Sequence, residues 1–301
     1  MMRLGELELK LVSDGGFRLD GGAMFGVVPR TLWERVKPPD ERNRIQMTAN
    51  CPLIARGGEL VLIDSGIGDK NDGKFRAIFG LETGARRLPE AVRDAGYEPG
   101  DVTHVLLTHL HFDHCGWNTR EDGSGNIVPT FPNARYWLER GEVEHARDPN
   151  LRDRASYDRR NWEPLFDAGV VELFDGEAEP VPGVRAVKAP GHNRDMCIVL
   201  LGEDGEDGED GEGAEGGGAD RAVFWADLVP TSAHVPYPWI MGYDLYPVTT
   251  LENKQRWLPR AGEGGWLSIF EHDPEVPLAR LEPDGRGGWL AQPVALPDTL
   301  I

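Results

Sequence analysis

Residues 109–114 read His-Leu-His-Phe-Asp-His, which places four potential metal ligands within six positions. The largely aliphatic run 104–108 precedes this motif and Gly116 follows it, a pattern typical of a buried strand that ends in a loop. In extended backbone, residues two apart point the same way, so the first two histidines can reach one ion. The aspartate and the last histidine lie where the chain turns and can face a second ion. A polar loop with scattered surface histidines is the alternative, but the chain has only eight histidines.

Three more candidate ligands, His192, Asp227 and His272, stand at the ends of predicted strands. Each follows or ends a short apolar run, and the three runs are 184–188, 222–227 and 266–273. Open α/β sheets place their sites at the carboxyl ends of strands, so we expect these side chains to gather near the motif. Imidazoles with a few carboxylates suit zinc, or iron or manganese, better than calcium or magnesium.

Taken in order, these motifs resemble those of the metallo-β-lactamase superfamily of metal-dependent hydrolases, and the resemblance covers nearly the whole chain. Its earliest element is residues 60–66, Leu-Val-Leu-Ile-Asp-Ser-Gly, which is similar to the family's strand-Asp-x-Gly turn. Five motifs in the same order are a strong signal, whereas any one alone would be weak. The resemblance implies an α/β fold, a four-layer αβ/βα sandwich of two mixed sheets with outer helices and the metals at one edge.

The resemblance also implies how the ligands are shared between two ions. The first ion would take His109, His111 and His192, the second would take Asp113, His114 and His272, and Asp227 would bridge them. Asp64 is expected to orient the 109–114 loop rather than to bind metal. A turn-forming carboxylate after a strand is an equally weighted alternative for Asp64.

Such a site explains a hydrolytic reaction without a serine or cysteine nucleophile. Two divalent ions about 3.5–4 Å apart hold a water between them and lower its pKa from 15.7 toward roughly 7. The metal-bridged hydroxide then attacks a carbonyl or phosphoryl group that one ion polarises. Asp113 and Asp227 are the expected catalytic carboxylates, and Asp113 is placed to take or relay a proton as well as to bind metal. We expect zinc, with iron or manganese as alternatives.

Within the superfamily, the two-metal set and the loop 24–29 resemble lactonases that open acyl-homoserine lactones, and organophosphate-cleaving relatives. Those lactonases carry a tyrosine three residues after the bridging aspartate, whereas this chain has Pro230 there. Tyr237, Tyr243 and Tyr246 are the tyrosines that could take its place. The tail after His272 is too short for the helical substrate domain of glyoxalase-type thioesterases.

The sequence therefore predicts a hydrolase of a lactone or another carboxylic ester with an apolar portion. Phosphotriester or phosphodiester hydrolysis at the same metals is an alternative. A sulfur dioxygenase with a single iron is a second alternative, and a non-catalytic metal-binding protein is a third. We expect the apolar loops 21–29 and 235–246 to form the substrate-binding rim, with Met24, Phe25, Trp33 and Trp239. A homodimer interface is an equally weighted and compatible interpretation of these loops.

Composition limits the partners. The net charge is −19 and the sequence pI is near 4.8, so the surface repels phosphate backbones and a nucleic-acid partner is disfavoured. Adaptation to high salt and an ordinary acidic cytosolic enzyme are both consistent with this charge. We expect one domain over residues 1–301. The tract 203–220 has nine acidic residues and no basic one, which predicts a disordered insertion because it cannot bury apolar area.

The remaining patterns indicate location and local structure. Residues 1–10 alternate like a first strand and lack the apolar centre of a signal peptide, and no run is long enough to span a membrane. Three cysteines provide no disulfide framework, so a reducing cytoplasm is expected, with Cys115 as a packed thiol. Proline and glycine placement predicts a helix over 88–96, and helices are also expected over 139–147 and 153–166.

Overall fold

The computed structural model describes residues 2–81, 87–202 and 220–295. The strands of these residues are, in chain order, β1 (Met2–Leu4), β2 (Leu7–Asp20), β3 (Arg44–Arg56), β4 (Glu59–Ile63), β5 (His104–Leu106), β6 (Thr119–Glu121), β7 (Ile127–Pro129), β8 (Arg135–Glu139), β9 (Val171–Phe174), β10 (Glu177–Val181), β11 (Val184–Lys188), β12 (Cys197–Leu201), β13 (Ala222–Phe224), β14 (Leu267–Ile269), β15 (Leu278–Pro283) and β16 (Trp289–Pro293).

The helices are shorter and lie between the strands. They are α1 (Gly21–Phe25), α2 (Arg30–Trp33), α3 (Gly73–Phe79), α4 (Leu88–Asp94), α5 (Phe112–Cys115), α6 (Arg140–Arg147), α7 (Glu163–Asp167) and α8 (Pro247–Glu263). Single 3-10 turns add Pro99–Asp101, Gly116–Asn118, Arg154–Ser156, Arg159–Asn161, Ala226–Leu228 and Ser232–His234. Among the described residues, none of these helices is long and apolar enough to cross a lipid bilayer.

Two seven-stranded mixed sheets form the body of the protein. The first has the strand order β1-β2-β3-β4-β5-β8-β9, and the second follows chain order from β10 to β16. Pairing is parallel at β4–β5, β5–β8, β8–β9 and β13–β14, and antiparallel at the other ladders of these sheets. Strands β4 and β13 take part in parallel pairs and are buried on both faces, which explains their continuous apolar runs.

Strand β4 shows how the layers are arranged. Val61 and Ile63 pack into the core shared with the second sheet, whereas Leu60 and Leu62 pack on the opposite side, under α4 and α6. Successive side chains of a strand point to opposite faces, so this one apolar run supplies both cores. Helix α8 packs against the second sheet through its core residues Trp257, Leu258 and Ala261. The predicted fold class, two mixed sheets face to face with outer helices, is confirmed.

Several local predictions need correction. The predicted helix over 153–166 is wrong, since this segment forms two 3-10 turns and only the short helix α7. Asp158 accepts a hydrogen bond from the backbone N–H of Arg160, and such side-chain capping favours turns over a continuous helix. Helices α4 and α6 lie within their predicted ranges. The single first strand over 1–10 is divided by a turn at Gly5, which has a φ of 57°. The acidic tract over 203–220 lies outside the described residues except for its last residue.

Asp14 of β2 ties the first sheet to the segments around the metal motif. Its buried carboxylate accepts hydrogen bonds from the backbone N–H groups of Ile67, Gly68 and Leu88, at 2.9, 3.0 and 2.9 Å. The indole N–H of Trp117 donates to it as well, at 2.5 Å. Four donors from three separate segments therefore converge on one side chain.

Replacing Asp14 with asparagine is expected to destabilise the protein by about 2–4 kcal/mol, because the new amide N–H₂ faces two buried donors that lose their acceptor. Burial, opposed by the four donors, raises the pKa of Asp14 from 3.8 to about 6. The folded protein therefore holds this proton more tightly than the unfolded chain, and the Asp14 contribution to the free energy of unfolding falls as pH rises from 3.8 to about 6. Urea unfolding across this pH range should show that slope in the parent protein and not in the variant. Equal slopes would contradict the assignment.

Candidate metal centre

The structure brings all seven predicted ligand side chains together at one edge of the sandwich. One group consists of His109, His111, His192 and Asp227, whose ligand atoms all lie within 4.8 Å of one another. A second group, by the same measure, consists of Asp113, His114 and His272. Each of the seven side chains is at most 7% exposed. Histidines and carboxylates buried this closely require either protons or cations between them.

The 109–114 segment delivers its ligands through a change of backbone conformation. His109 and His111 lie in the stretch between β5 and α5, with ring centroids 4.5 Å apart. Helix α5 then turns Asp113 and His114 toward the second group. The next residue, Gly116, packs against the backbone that follows β4, and a Cβ there would lie 2.0 Å from the carbonyl carbon of Ile67. Only glycine permits this contact between the two loops.

Asp227 lies between the two groups. Its Oδ2 atom is 3.2 Å from Nε2 of His192 and 3.5 Å from Nε2 of His114. Its Oδ1 atom is 3.2 Å from Nε2 of His272. The preceding residue, Ala226, has a φ of 46°, a left-handed conformation that is costly for a residue with a side chain. The tight turn after β13 thus places one carboxylate where a bridging ligand is needed.

The side chains fit a pair of small divalent ions. Zinc binds nitrogen and oxygen at 2.0–2.2 Å in tetrahedral sites, so neighbouring ligand atoms should lie about 3.3 Å apart. Here Nδ1 of His111 is 3.0 Å from Nε2 of His192, and Nε2 of His114 is 3.3 Å from Nε2 of His272. Among the described residues, Nε2 of His109 and Oδ1 of Asp227 have no hydrogen-bond partner despite burial. Buried polar atoms without a partner are rare, and a cation would satisfy both.

Burial and the charges of neighbouring residues shift the pKa values of the histidines and of Asp227 in opposite directions. Burial and the neighbouring histidines lower the pKa of His109 and of His111 well below the ordinary value, so both are neutral ligands. Burial alone would lower the pKa of His272, but Asp227 and Glu271 raise it to about 9. Histidine charges, against burial, hold the pKa of Asp227 well below its usual range. Divalent cations bound here would replace the protons on the histidines and would offset the negative charge of Asp227 in their place.

Two carboxyl groups lie beside Nδ1 of the His114 ring. Its Nδ1 atom is 3.0 Å from Oδ2 of Asp64 and 2.9 Å from Oε2 of Glu271. Asp64 also accepts hydrogen bonds from the backbone N–H and the hydroxyl of Thr108, at 2.7 and 2.6 Å, and so orders the start of the metal motif. A histidine that binds an ion through Nε2 carries a hydrogen on Nδ1. We therefore assign the carboxylate of Asp64 as the acceptor of this hydrogen, whereas both oxygens of Glu271 are buried without a hydrogen-bond partner among the described residues.

Glu271 was not among the site residues predicted from the sequence. This residue is fully buried, and burial together with the nearby Asp64 raises its pKa. The signal was its position directly before His272, at the end of the same apolar run.

Asp244 was also missed, and it holds the ring of His192. Nδ1 of His192 is 3.0 Å from Oδ1 of Asp244, whose Oδ2 accepts a hydrogen bond of 2.7 Å from the hydroxyl of Thr250 in α8. The corresponding partner of His272 is the backbone carbonyl of Thr48, at 2.8 Å from Nδ1. Such partners set the tautomer and orientation of a ligating histidine. No local motif marked Asp244, since it lies 52 residues from His192 in the chain.

Asp244→Ala is expected to weaken metal binding by roughly 10–100-fold, the range typical when the partner of a ligating histidine is removed. Thr250→Val is the matched control, because it removes one hydrogen bond to Asp244 and leaves the carboxylate on His192. Competition with a chromogenic zinc chelator measures both. Parent-like affinity in Asp244→Ala would show that His192 does not need this carboxylate.

A cavity of about 480 Å³ opens on the two groups. Ligand residues at its base are His111, Asp113, His192, Asp227 and His272. Apolar and aromatic side chains form much of the remaining wall, namely Leu19, Ala23, Met24, Phe79, Phe112, Met241, Tyr243 and Leu245. The cavity therefore combines a polar base with a largely apolar wall, as ligand sites usually do.

The predicted substrate rim needs correction. Of its four residues, Met24 lines the cavity, whereas Phe25 and Trp33 are fully buried and stacked at 5.3 Å in the core beneath it. Trp239 packs its edge against Phe25, at 5.5 Å. Part of the apolar loops therefore forms a small core beneath the cavity, whereas Met24, Met241, Tyr243 and Leu245 line the cavity itself. His234 also belongs to this core, since it is buried and stacks on Phe25 at 4.7 Å.

Cys115 belongs to neither group of candidate ligands among the described residues. Its buried Sγ donates to the backbone carbonyls of His111 and Leu110, at 3.1 and 3.4 Å. The thiol therefore helps to close helix α5.

A two-sheet αβ/βα sandwich with two groups of histidine and aspartate side chains at one edge has the architecture of a metal-binding sandwich protein. The family model described as the metallo-beta-lactamase superfamily matches residues 45–205, more than half of the chain. The chain belongs to the metallo-beta-lactamase superfamily. The family predicted from the order of the motifs is thus confirmed.

Two curated proteins match about half of this chain. An N-acyl homoserine lactonase of Bacillus thuringiensis is 29% identical over 153 residues, covering 48% of this chain and 54% of that protein. A protein named probable metallo-hydrolase from Mycobacterium tuberculosis is 31% identical over 179 residues, covering 52% and 53%. The matches span about half the length of these relatives.

Solved structures match over nearly the whole chain. A probable metal-dependent hydrolase from Staphylococcus aureus is 27% identical with a TM-score of 0.83, covering 98% of this chain and 100% of that one. The dizinc quorum-quenching lactonase AidC, in complex with a product, has a TM-score of 0.72 and 19% identity, with coverage of 98% and 97%. At that identity the likeness to AidC shows the fold alone.

Proposed function

We propose that this protein is a metallohydrolase that binds two divalent ions, zinc in first place, and cleaves a lactone or another carboxylic ester with an apolar portion. The observation that carries the proposal is the cavity with a largely apolar wall that opens directly on both ligand groups. The relatives named as lactonase and metallo-hydrolase support the reaction class.

In this proposal the first ion would be held by His109, His111 and His192 and the second by Asp113, His114 and His272, and Asp227 would be shared between them. Divalent ions in such a site supply Lewis acidity and make water reactive near neutral pH. Asp113 lines the cavity beside His114 and His272, with its carboxylate oxygens 3.8 Å from Nε2 of each ring. Its carboxylate is therefore placed both to bind an ion and to take the proton that the attacking water loses.

Tyr243 is the tyrosine best placed to substitute for the residue that Pro230 replaces. It lines the cavity, whereas Tyr237 packs against the main core and Tyr246 is not among the lining residues. Burial and the nearby charges of Asp20, Asp113 and Asp227 raise the pKa of Tyr243 to about 12. Its hydroxyl therefore keeps its proton and can donate a hydrogen bond to a substrate carbonyl.

The acidic chain favours small neutral substrates. With a net charge of −19, it repels polyanions at long range, which supports a small-molecule ester over a nucleic acid.

A substrate panel on the purified protein tests the proposal. It should contain lactones and aryl esters with increasing alkyl length together with phosphotriesters, and the metal content should be measured by mass spectrometry. We expect two zinc-like ions per chain, and ester or lactone cleavage that increases with the apolar portion, is lost on chelation and returns with zinc. Tyr243→Phe keeps the ring and should lower the rate on lactones while retaining both ions. Cleavage of phosphotriesters alone, or one iron with oxygen uptake, would overturn the proposal.

A further inference from the structure

Lys254 is a fully buried lysine in the middle of helix α8. Among the described residues, no carboxylate lies within ion-pair distance of its ammonium group. Its partners are four backbone carbonyls of the loop 234–239. Nζ donates to the oxygens of His234, Pro236, Trp239 and Tyr237, at 2.6, 2.7, 3.0 and 3.4 Å.

A set of carbonyl oxygens around one positive charge is the arrangement that proteins use to bind monovalent cations. Here the cation is part of the chain. The loop has little regular structure of its own, since Pro236 and Pro238 have no N–H to donate and the first internal bond is from the N–H of Trp239 to the carbonyl of Pro236. Its carbonyls therefore turn inward to the ammonium group instead of pairing with a strand or helix. Burial lowers the pKa of Lys254 to about 7, against a smaller opposing effect of Asp244. The four carbonyl oxygens favour the charged form, because a neutral amine would turn a lone pair toward them, whereas all three hydrogens of the ammonium group find acceptors.

The residues that follow this loop form part of the cavity wall. Met241, Gly242, Tyr243 and Leu245 line the cavity, and Asp244 between them holds the ring of His192. Lys254 lies one helical turn after Thr250, whose hydroxyl donates to Asp244. Two residues on one face of α8 therefore bind the segment 234–246, one near its start and one near its end. His234 at its start is neutral, since burial and, to a lesser extent, the Lys254 charge lower its pKa to about 4.

We propose that Lys254 is a positioning residue for the substrate cavity, and that its ammonium group acts as a built-in monovalent cation that shapes the loop 234–239 and thereby the wall formed by Met241, Tyr243 and Leu245. This inference rests on the proposed function for its kinetic consequence, but the caged loop itself is independent of the reaction. Lys254 contacts no ligand residue directly, so its removal should alter substrate fit more than metal content.

The first test uses metal-free protein and amide hydrogen exchange. Lys254→Ala removes the cation and leaves space, Lys254→Met removes the charge and fills the space, and Arg256→Met removes an exposed cation from the same helix as a control. Amides in 234–246 should exchange at least about tenfold faster in both Lys254 variants, the equivalent of one lost charged hydrogen bond, and remain unchanged in Arg256→Met. Ethylammonium should restore protection in Lys254→Ala and not in Lys254→Met, whereas tetramethylammonium, which has no N–H, should restore neither.

The second test uses the zinc-loaded protein and the most active ester of the panel. Both Lys254 variants should keep two ions and raise KM about tenfold or more with a much smaller change in kcat, and ethylammonium should lower KM in Lys254→Ala. If Lys254→Ala folds poorly, its refolding yield in ethylammonium against tetramethylammonium provides the same comparison. Parent-like exchange of the loop, equal acceleration over the whole chain, or lack of amine rescue would each overturn the proposal. Loss of every hydrolytic activity in the parent protein would instead overturn the proposed function and leave the exchange result intact.

Discussion

Asp227→Ala is expected to reduce the bound metal from two ions per chain to one or fewer and to lower turnover by well over the roughly 100-fold seen when only the partner of a metal ligand is removed. The reason is its place between the two groups, with Oδ2 facing His192 and His114 and Oδ1 facing His272. Without this carboxylate each ion loses a ligand at once. The negative charge that offsets two divalent cations in a buried site is lost as well.

The measurement combines metal analysis by mass spectrometry with the rate on the best ester or lactone of the panel. Asp227→Asn is the informative control, because it keeps the shape and one carbonyl oxygen but not the charge. Its metal content should lie between those of the parent and the alanine variant. Retention of both ions with full activity in Asp227→Ala would refute the bridging assignment.

Asp113→Asn should lower kcat by about 10²–10⁴-fold, the usual contribution of a general acid or base, while metal content falls much less. The amide oxygen can still face the second ion, but the amide cannot accept a proton. The carboxylate of Asp113 lies in the cavity wall and is only 6% exposed, so bulk water is poorly placed to replace it.

The ratio of activity loss to metal loss decides the role of Asp113. The values of kcat, KM and bound zinc should be compared in the parent, Asp113→Asn and His272→Ala. The last variant is the control, because His272 belongs to the same candidate ligand group but has no carboxylate. If Asp113→Asn loses zinc and activity in the same proportion as His272→Ala, then Asp113 is a ligand and not a proton acceptor.

Much of the architecture could be predicted because it depends on short-range pattern. Residues 60–66 were predicted to be a strand that ends in a turn, and the structure has β4 there, with Val61 and Leu62 on opposite sides of it. The strand ends at His192, Asp227 and His272 predicted a common edge, since strand ends in such sheets meet there. In the structure these three side chains join the 109–114 motif in two groups, and the ligand atoms within each group lie within 4.8 Å of one another.

Other features escaped prediction because apolar composition does not distinguish an exposed loop from a small core. Phe25 lies in an apolar, glycine-rich stretch and Trp33 follows it, a pattern from which an exposed rim of the substrate pocket was predicted. In the structure the two rings stack on one another, and Phe25 also stacks on the ring of His234, which comes from a distant segment of the chain. The partner that buries them is invisible in the local pattern.

By itself, the sequence determined the superfamily, the sandwich of two mixed sheets and the candidate ligands, because residue type and order along the chain carry that information. Only the tertiary structure decided that Asp244 orients the ring of His192, that Glu271 lies beside the ring of His114 and that Lys254 lies buried among carbonyl groups. Each of those contacts joins a side chain to backbone or rings brought near by folding, so its energy depends on a geometry that no single segment contains.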